Sequence, residues 1–174
     1  LEHIMEEARV LTENGYQEIV LVGIHLASYG ADLQGPDLCD VLLKLHQIPG
    51  LKRIRLGSLE LTPVLEKIAA HASSLPKLCD HFHISLQSGC DETLARMRRR
   101  YDSAAYRRAI HQIKAAWPHA AITTDVMVGF AGETEEEFQK SYEFVRSISF
   151  AKVHVFPYSI RPGTAAASFE GQLS

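Results

Sequence analysis

His81-Phe82-His83-Ile84-Ser85-Leu86-Gln87 alternates strictly: Phe82, Ile84 and Leu86 share one parity, and His81, His83, Ser85 and Gln87 share the other. Successive side chains of a strand point to opposite faces, so this stretch is a strand with one apolar and one polar face. The pattern recurs. In Ile122 to Gly129, Ile122, Thr124, Val126 and Val128 oppose Thr123, Asp125, Met127 and Gly129. In Lys52 to Gly57, Ile54 and Leu56 oppose Arg53, Arg55 and Gly57, and in the last strand Val153 and Val155 oppose Lys152, His154 and Phe156. A parallel sheet covered on both faces would be apolar in both parities. A barrel, or part of one, instead turns the polar face inward around a polar ligand. The expected class is therefore α/β, with a partial barrel whose chemistry sits at the C-terminal ends of its strands.

Around these strands the chain alternates with helices. Apolar residues at helical spacing predict a helix over Leu1–Glu13, closed by Asn14-Gly15. Glu18–Gly23 is expected as a buried strand and Asp37–Gln47 as a helix. Lys52–Leu56 (strand), Pro63–His71 (helix) and His81–Leu86 (strand) follow. Asp91–Arg99 and Ser103–Ala116 are expected helices, Ala121–Val128 a strand, and Thr134–Ser147 a helix opened by a Thr134/Glu137 capping box. Lys152–Phe156 is the last strand, and an irregular tail begins at Arg161. The order α(βα)₄β implies parallel pairing and right-handed crossovers. Starting on a helix, it also implies a strand preceding Leu1. Without that strand the Glu18–Val22 edge is unpaired and apolar, and self-association is expected.

The composition excludes several classes. The 174 residues are 46% hydrophobic and 22% charged with a net charge of −3, which is neither a disordered nor a highly charged chain. The longest apolar runs fall far short of the roughly 20 residues of a membrane span. The acidic, amphipathic N-terminus does not read as a signal peptide. An isoelectric point near 6.3 gives no global pull on nucleic acid, so such contact needs a local patch. Three cysteines, Cys39, Cys79 and Cys90, with no CxxC pair exclude a disulfide framework and a cysteine zinc site within the chain, and fit a reducing cytosol.

The loops at the strand ends begin at Gly23, Gly57, Gln87, Gly129 and Pro157, and glycine lets a ligand approach the backbone. Each candidate also has a plain structural reading. His81-x-His83 is a metal pair or two hydrogen-bonded strand histidines. Asp125, a carboxylate inside a strand, needs a partner, which is a ligand or Arg55. Gly129-x-x-Gly132 lacks the first G-x-G of a dinucleotide fingerprint. Arg96, Arg98, Arg99 and Arg100 end a helix, where cations suit the dipole, or they form a phosphate-binding patch. Cys90 is a loop nucleophile or a buried thiol. The acidic run Glu133–Glu137 suits a helix N-terminus.

Four segments in order then resemble the radical S-adenosylmethionine (SAM) methylthiotransferases: His83-Ile84-Ser85-Leu86-Gln87-Ser88-Gly89-Cys90-Asp91, Met97–Tyr101, Thr124–Thr134 and His154–Thr164. Arg53–Glu60 is similar to that family's third strand. Gly23-Ile24-His25-Leu26-Ala27-Ser28-Tyr29-Gly30 resembles the branch acting on tRNA with N6-threonylcarbamoyladenosine at position 37, rather than the isopentenyladenosine or ribosomal-protein branches. The chain departs from the family at Leu61, Ser85 and Ala131, where Pro is usual, and at Cys90, where Ser is usual.

The resemblance implies a partial (β/α)₆ TIM-like radical-SAM barrel over residues 1–164, lacking its first strand, and a tail over 165–174 leading toward a TRAM domain. It implies a transferase that cleaves SAM reductively to a 5′-deoxyadenosyl radical and installs a methylthio group at C2 of the tRNA adenine. Two 4Fe-4S clusters are implied, with ligands outside this chain, since the CxxxCxxC motif is absent; the chain alone is therefore expected to be inactive and to hold no metal. The SAM-binding residues carried over are Gly23, His25, Ser58, Glu60, Gln87, Ser88, Asp125, Gly129, Phe130, His154, Phe156 and Tyr158, with no catalytic side chain assigned. Arg98, Arg99 and Arg100 are the nucleic-acid candidates. Implied partners are tRNA and an electron donor such as flavodoxin or ferredoxin, in the cytoplasm. The competing readings are a methylthiotransferase of the isopentenyladenosine or ribosomal-protein branch, and a non-catalytic barrel remnant that binds a nucleotide or a partner protein.

Overall fold

The computed structural model describes residues 1–32 and 35–172. The last two residues of the expected tail, 173–174, lie outside the described residues. The chain divides into two compact units, one built from 1–83 with 109–121 and the other from 84–108 with the chain from Ile122 onward.

The first unit holds α1 (Glu2–Glu13), β1 (Glu18–Leu21), α2 (Leu38–Leu45), β2 (Arg53–Leu56), the two-residue β3 (Ser58–Leu59) and α3 (Val64–Ala70). It also holds the start of β4 (His81–Ile84) and the last part of α5 (Ser103–Ala116). α1 ends as its sequence predicts. Gly15 takes φ +91°, and the Gly15 and Tyr16 amides donate to Thr12 and Leu11 at 3.0 and 3.1 Å, the paired bonds of a Schellman cap. α2 opens on a box built from two aspartates. The Asp40 amide donates to the Asp37 carboxylate at 3.1 Å and the Asp37 amide to Asp40 at 3.0 Å. Lys67 of α3 then reaches both carboxylates at 2.9 and 3.1 Å and ties the two helices together. β1 and β2 run parallel, from Glu18 opposite Arg53 to Leu21 opposite Leu56. Ile54, Leu56, Leu42, Leu45 and Ile68 form the dry interior.

β1 departs from the buried strand expected of its composition. Among the described residues it pairs with β2 alone. One parity is bare: Val20, Val22 and Ile24 are 49, 76 and 93% exposed. A β-branched run is buried only where elements cover both its faces and its edges, and composition does not say whether they do.

The second unit holds α4 (Asp91–Arg96), β5 (Ala121–Val128) from Ile122, α6 (Glu135–Ile148) and β6 (Lys152–Pro157). β5 and β6 are parallel, with Asp125 opposite His154 and Met127 opposite Phe156. Tyr106 is fully buried and donates its hydroxyl to the Ile84 carbonyl at 2.6 Å, and Tyr101 serves the Leu86 carbonyl at 2.9 Å. The α6 box forms as predicted: the Glu137 amide donates to Thr134 Oγ1, and the Thr134 amide to the Glu137 carboxylate. Ser149, in the left-handed region at φ +56°, ends the helix.

Several boundaries move. β4 stops at Ile84 because the Leu86 amide turns to the Thr124 hydroxyl at 2.9 Å and Gln87 takes φ +68°. α4 stops at Arg96 rather than Arg99, since Arg98 takes φ +56° and closes a second Schellman cap, Arg98 to Ala95 and Arg99 to Leu94, both at 2.9 Å. β6 is mostly exposed, and Val155, on the apolar face expected to lie under a helix layer, is 62% exposed. Residues 165–172 are not an irregular run: Ala165–Ser168 forms a 3-10 turn, and the Gly132 amide donates to the Gly171 carbonyl at 2.8 Å.

Candidate functional site

In the first unit the structure brings His25 and Glu60 together. His25 Nδ1 lies 2.7 Å from Glu60 Oε1. A carboxylate only accepts, so Nδ1 carries the proton, and in the neutral ring Nε2 is left as an acceptor. The second carboxylate oxygen of Glu60 is buried without a partner. Gly23 lies two residues before His25, and Ser58 opens β3 two residues before Glu60, so all four candidates of this unit follow β1 and β2. At the other end of the β1–β2 pair, Glu18 bonds both Arg53 and Arg55, and these two hydrogen bonds hold its carboxyl below the usual range.

In the second unit the candidates fall into two groups. The first group follows β4. The Gln87 backbone is woven into β5: its amide donates to the Asp125 carbonyl and its carbonyl accepts from Met127, both at 2.8 Å. Ser88 is fully buried; its hydroxyl accepts from the Cys90 amide at 3.2 Å and lies 3.4 Å from Ser141 Oγ. Gly89 is required by packing, because a Cβ there would sit 2.6 Å from Phe144 Cβ of α6. The glycine of this loop thus answers to a helix rather than to a ligand. Asp125 accepts from the Ser85 hydroxyl at 3.3 Å and faces His154 across the ladder.

The second group surrounds Phe130. Gly129 takes φ +73°, and its amide donates to the Glu133 carboxylate. Phe130 is buried and meets Tyr158 edge-on at 5.0 Å and Phe169 at 6.2 Å. Three buried polar atoms in the residues around it have no partner: Tyr158 Oη, Arg96 Nε and Gln172 Oε1. Such atoms call for a ligand or water. Phe156, opposite Met127, stays 37% exposed on β6.

Sequence reasoning missed Glu133 and Arg96 as residues of this site. Glu133 stands before the Thr134 cap, where a charge does little for the helix; that offset was the available signal. Burial pushes its carboxyl up. Arg96 was grouped with the arginines that follow it, but its guanidinium grips both Glu137 oxygens at 2.7 and 2.6 Å and holds that carboxyl down. Arg98, Arg99 and Arg100 are exposed just beyond it.

The family model for the radical SAM superfamily matches residues 1–145. The chain belongs to the radical SAM superfamily. Among solved structures, this radical SAM chain matches coproporphyrinogen III oxidase (HemN) of Escherichia coli with a TM-score of 0.69 at 14% identity, over 95% of this chain and 38% of that one. It matches methylornithine synthase (PylB) with a TM-score of 0.61 at 16% identity, over 99% and 48%. Those likenesses carry the partial radical-SAM barrel fold. In sequence it is 40% identical to the threonylcarbamoyladenosine tRNA methylthiotransferase MtaB of Bacillus subtilis (strain 168), over 99% of this chain and 38% of the relative. The MtaB of Thermotoga maritima is also 40% identical, over 98% and 39%. So is the tRNA-2-methylthio-N(6)-dimethylallyladenosine synthase of Dictyoglomus thermophilum, over 97% and 38%. The chain thus spans under two fifths of the curated relatives it matches.

Among the described residues no three His, Cys, Asp or Glu side chains converge to hold a metal. Burial raises the Cys39 and Cys90 thiols, away from the thiolate that ligation needs. The described residues do not fit an iron–sulfur cluster. For an adenosyl ligand the fit is better: a positive-φ glycine, a buried aromatic and unpartnered polar atoms meet after β5. Among the described residues no helix is long and apolar enough to cross a membrane.

Proposed function

We propose that this chain is the SAM-binding barrel segment of a tRNA methylthiotransferase that installs a methylthio group at C2 of N6-threonylcarbamoyladenosine-37. The observation that carries the reading is 40% identity to two such enzymes along nearly the whole chain. In this reading SAM, when bound, supplies the radical source and the methyl group. Asp125, Gly129 and Phe130 stand toward the adenine, with His154, Phe156 and Tyr158 opposite. Gln87 and Ser88 stand toward the methionine or ribose, and Gly23 and His25 toward the methionine amino group, with Ser58 and Glu60 at the end of the third strand of the family's barrel. His25, its Nδ1 proton held by Glu60, offers Nε2 as an acceptor. Two 4Fe-4S clusters belong to the whole protein with ligands outside this chain, so the chain alone is inactive. The electron donor is a flavodoxin or ferredoxin, and the setting is cytoplasmic. Arg98, Arg99 and Arg100 meet RNA phosphates.

The test is anaerobic turnover by the whole protein on tRNA, with nucleosides read by mass spectrometry. A methylthio-bearing threonylcarbamoyladenosine supports the reading. The second reading is the dimethylallyladenosine branch, favoured by the equal identity to that synthase; modification of dimethylallyladenosine tRNA alone would select it. A whole protein that binds S-adenosylhomocysteine but modifies neither tRNA would point to a binding module. Replacing Arg98, Arg99 and Arg100 together by Ala is expected to weaken tRNA binding and flatten its salt dependence by about three phosphate contacts' worth of slope. An unchanged slope would return them to a solvated surface.

A further inference from the structure

The loop after β5 is held from two sides. From within, the Gly129 amide donates to Glu133, and Arg96 lies 3.7 Å from where a Gly132 Cβ would stand. From outside, residues 165–172 lie against it. The Gly132 amide donates to the Gly171 carbonyl at 2.8 Å, and Phe169 meets Phe130 edge-on at 6.2 Å. The outer segment braces itself: Gln172 Nε2 donates to the Ala166 and Phe169 carbonyls at 2.9 and 3.0 Å. Two glycines meet at the joint. Gly171 takes φ +73°, and a Cβ on it would stand 3.0 and 3.1 Å from Gly132 Cα and N. Both neighbours are backbone, so neither gives way cheaply. Beside the joint an open pocket of about 200 Å³ lies between Met127 and Phe130 on one side and Ala166 and Phe169 on the other, with Arg96 and Met97 at its wall.

We propose that residues 165–172 are a positioning strap. Through Gly171 and Phe169 they hold Gly129–Gly132 in the shape that seats the adenosyl group, without touching that group themselves. The second half of this statement rests on the adenine site proposed above; the first half does not. Gly171 and Phe169 are thus positioning residues for Phe130. Whatever pulls on the chain after Gln172 pulls on this loop, which gives a following segment a mechanical route to the cofactor.

The test is carried out on the whole protein with Gly171→Ala, Phe169→Ala and, as control, Gly163→Ala. Gly163 also has positive φ, at +83°, but an added Cβ would meet nothing within 4 Å. Amide hydrogen exchange reads the loop, and calorimetric titration with S-adenosylhomocysteine reads the site. In Gly171→Ala and Phe169→Ala, the amides of 130–133 are expected to exchange at least tenfold faster. Those of α6 should be unchanged, and S-adenosylhomocysteine affinity should drop about tenfold. Gly163→Ala should do neither. Unchanged exchange at 130–133 overturns the strap. Faster exchange with unchanged affinity overturns its link to the site. If the unmodified whole protein binds no S-adenosylhomocysteine, the adenine reading fails, and the exchange result still decides the strap.

Discussion

Glu133 and Glu137 lie four residues apart and answer to pH in opposite senses. Burial raises Glu133, so the folded chain takes up that proton before the unfolded chain does. Its contribution to stability therefore grows as pH falls through the raised value toward the ordinary carboxyl range, and is flat below it. Arg96 lowers Glu137, whose contribution is complete above the ordinary carboxyl range and is lost as pH falls through the lowered value. His81, lowered chiefly by burial, loses stability as pH falls below about 6.5. The difference between proteins isolates one term. Glu133→Gln keeps an oxygen for the Gly129 amide but carries no charge. It is expected to be more stable than the parent at pH 7, with the advantage shrinking to nothing below pH ~4.5, in urea titrations across pH. A constant difference at all pH values contradicts this. Tyr106 is a second such residue. Tyr106→Phe removes one donor to the Ile84 carbonyl and leaves the Thr124 hydroxyl at 2.7 Å. The expected cost is about 1 kcal/mol, read from a denaturation midpoint.

Among the elements, α4 makes the sharpest forecast. Its C-terminal cap places Arg98 in the left-handed region that favours glycine. Arg98→Gly is expected to stabilise the fold by about 1 kcal/mol while weakening tRNA binding by the whole protein. Gains in both would show that the side chain has no phosphate to meet. Where caps were strong in sequence, the elements stand where they were expected: Asn14-Gly15 ends α1, and Thr134 with Glu137 opens α6. α5 and β5 match residue for residue. The misses share one physical cause, competition from groups distant in sequence. The β4 ladder ends where Thr124 and the two tyrosines claim its backbone, and no local pattern announces those donors. β3, two residues long, is too short to show a period. The same limit applied to the site. The strand-end positions were legible from parity and glycine, whereas the His25–Glu60 contact spans 35 residues and the Gly132–Gly171 contact joins loop to tail.

Across the molecule, the apolar flank of β1 is expected to set how the chain behaves in solution. Val20, Val22 and Ile24 stand exposed beside a strand with one partner among the described residues, and such an edge recruits other chains. Light scattering at high concentration is expected to give a mass above 19.4 kDa for the parent chain and near that value for Val22→Lys, whose charge blunts the flank. A parent that already scatters as a monomer removes the premise.

The single tryptophan has a practical use of its own. Trp117 packs against Phe82 at 5.1 Å, and both rings belong to the first unit. Tyr101, Tyr106, Tyr142 and Tyr158 all lie in the second. Indole fluorescence is therefore a lamp inside the first unit alone, and in a variant with Tyr16→Phe and Tyr29→Phe, which removes the two tyrosines of the first unit, near-ultraviolet tyrosine signals are lamps inside the second. Melting curves recorded with the two colours will coincide if the units unfold as one and separate if they do not, with no label added.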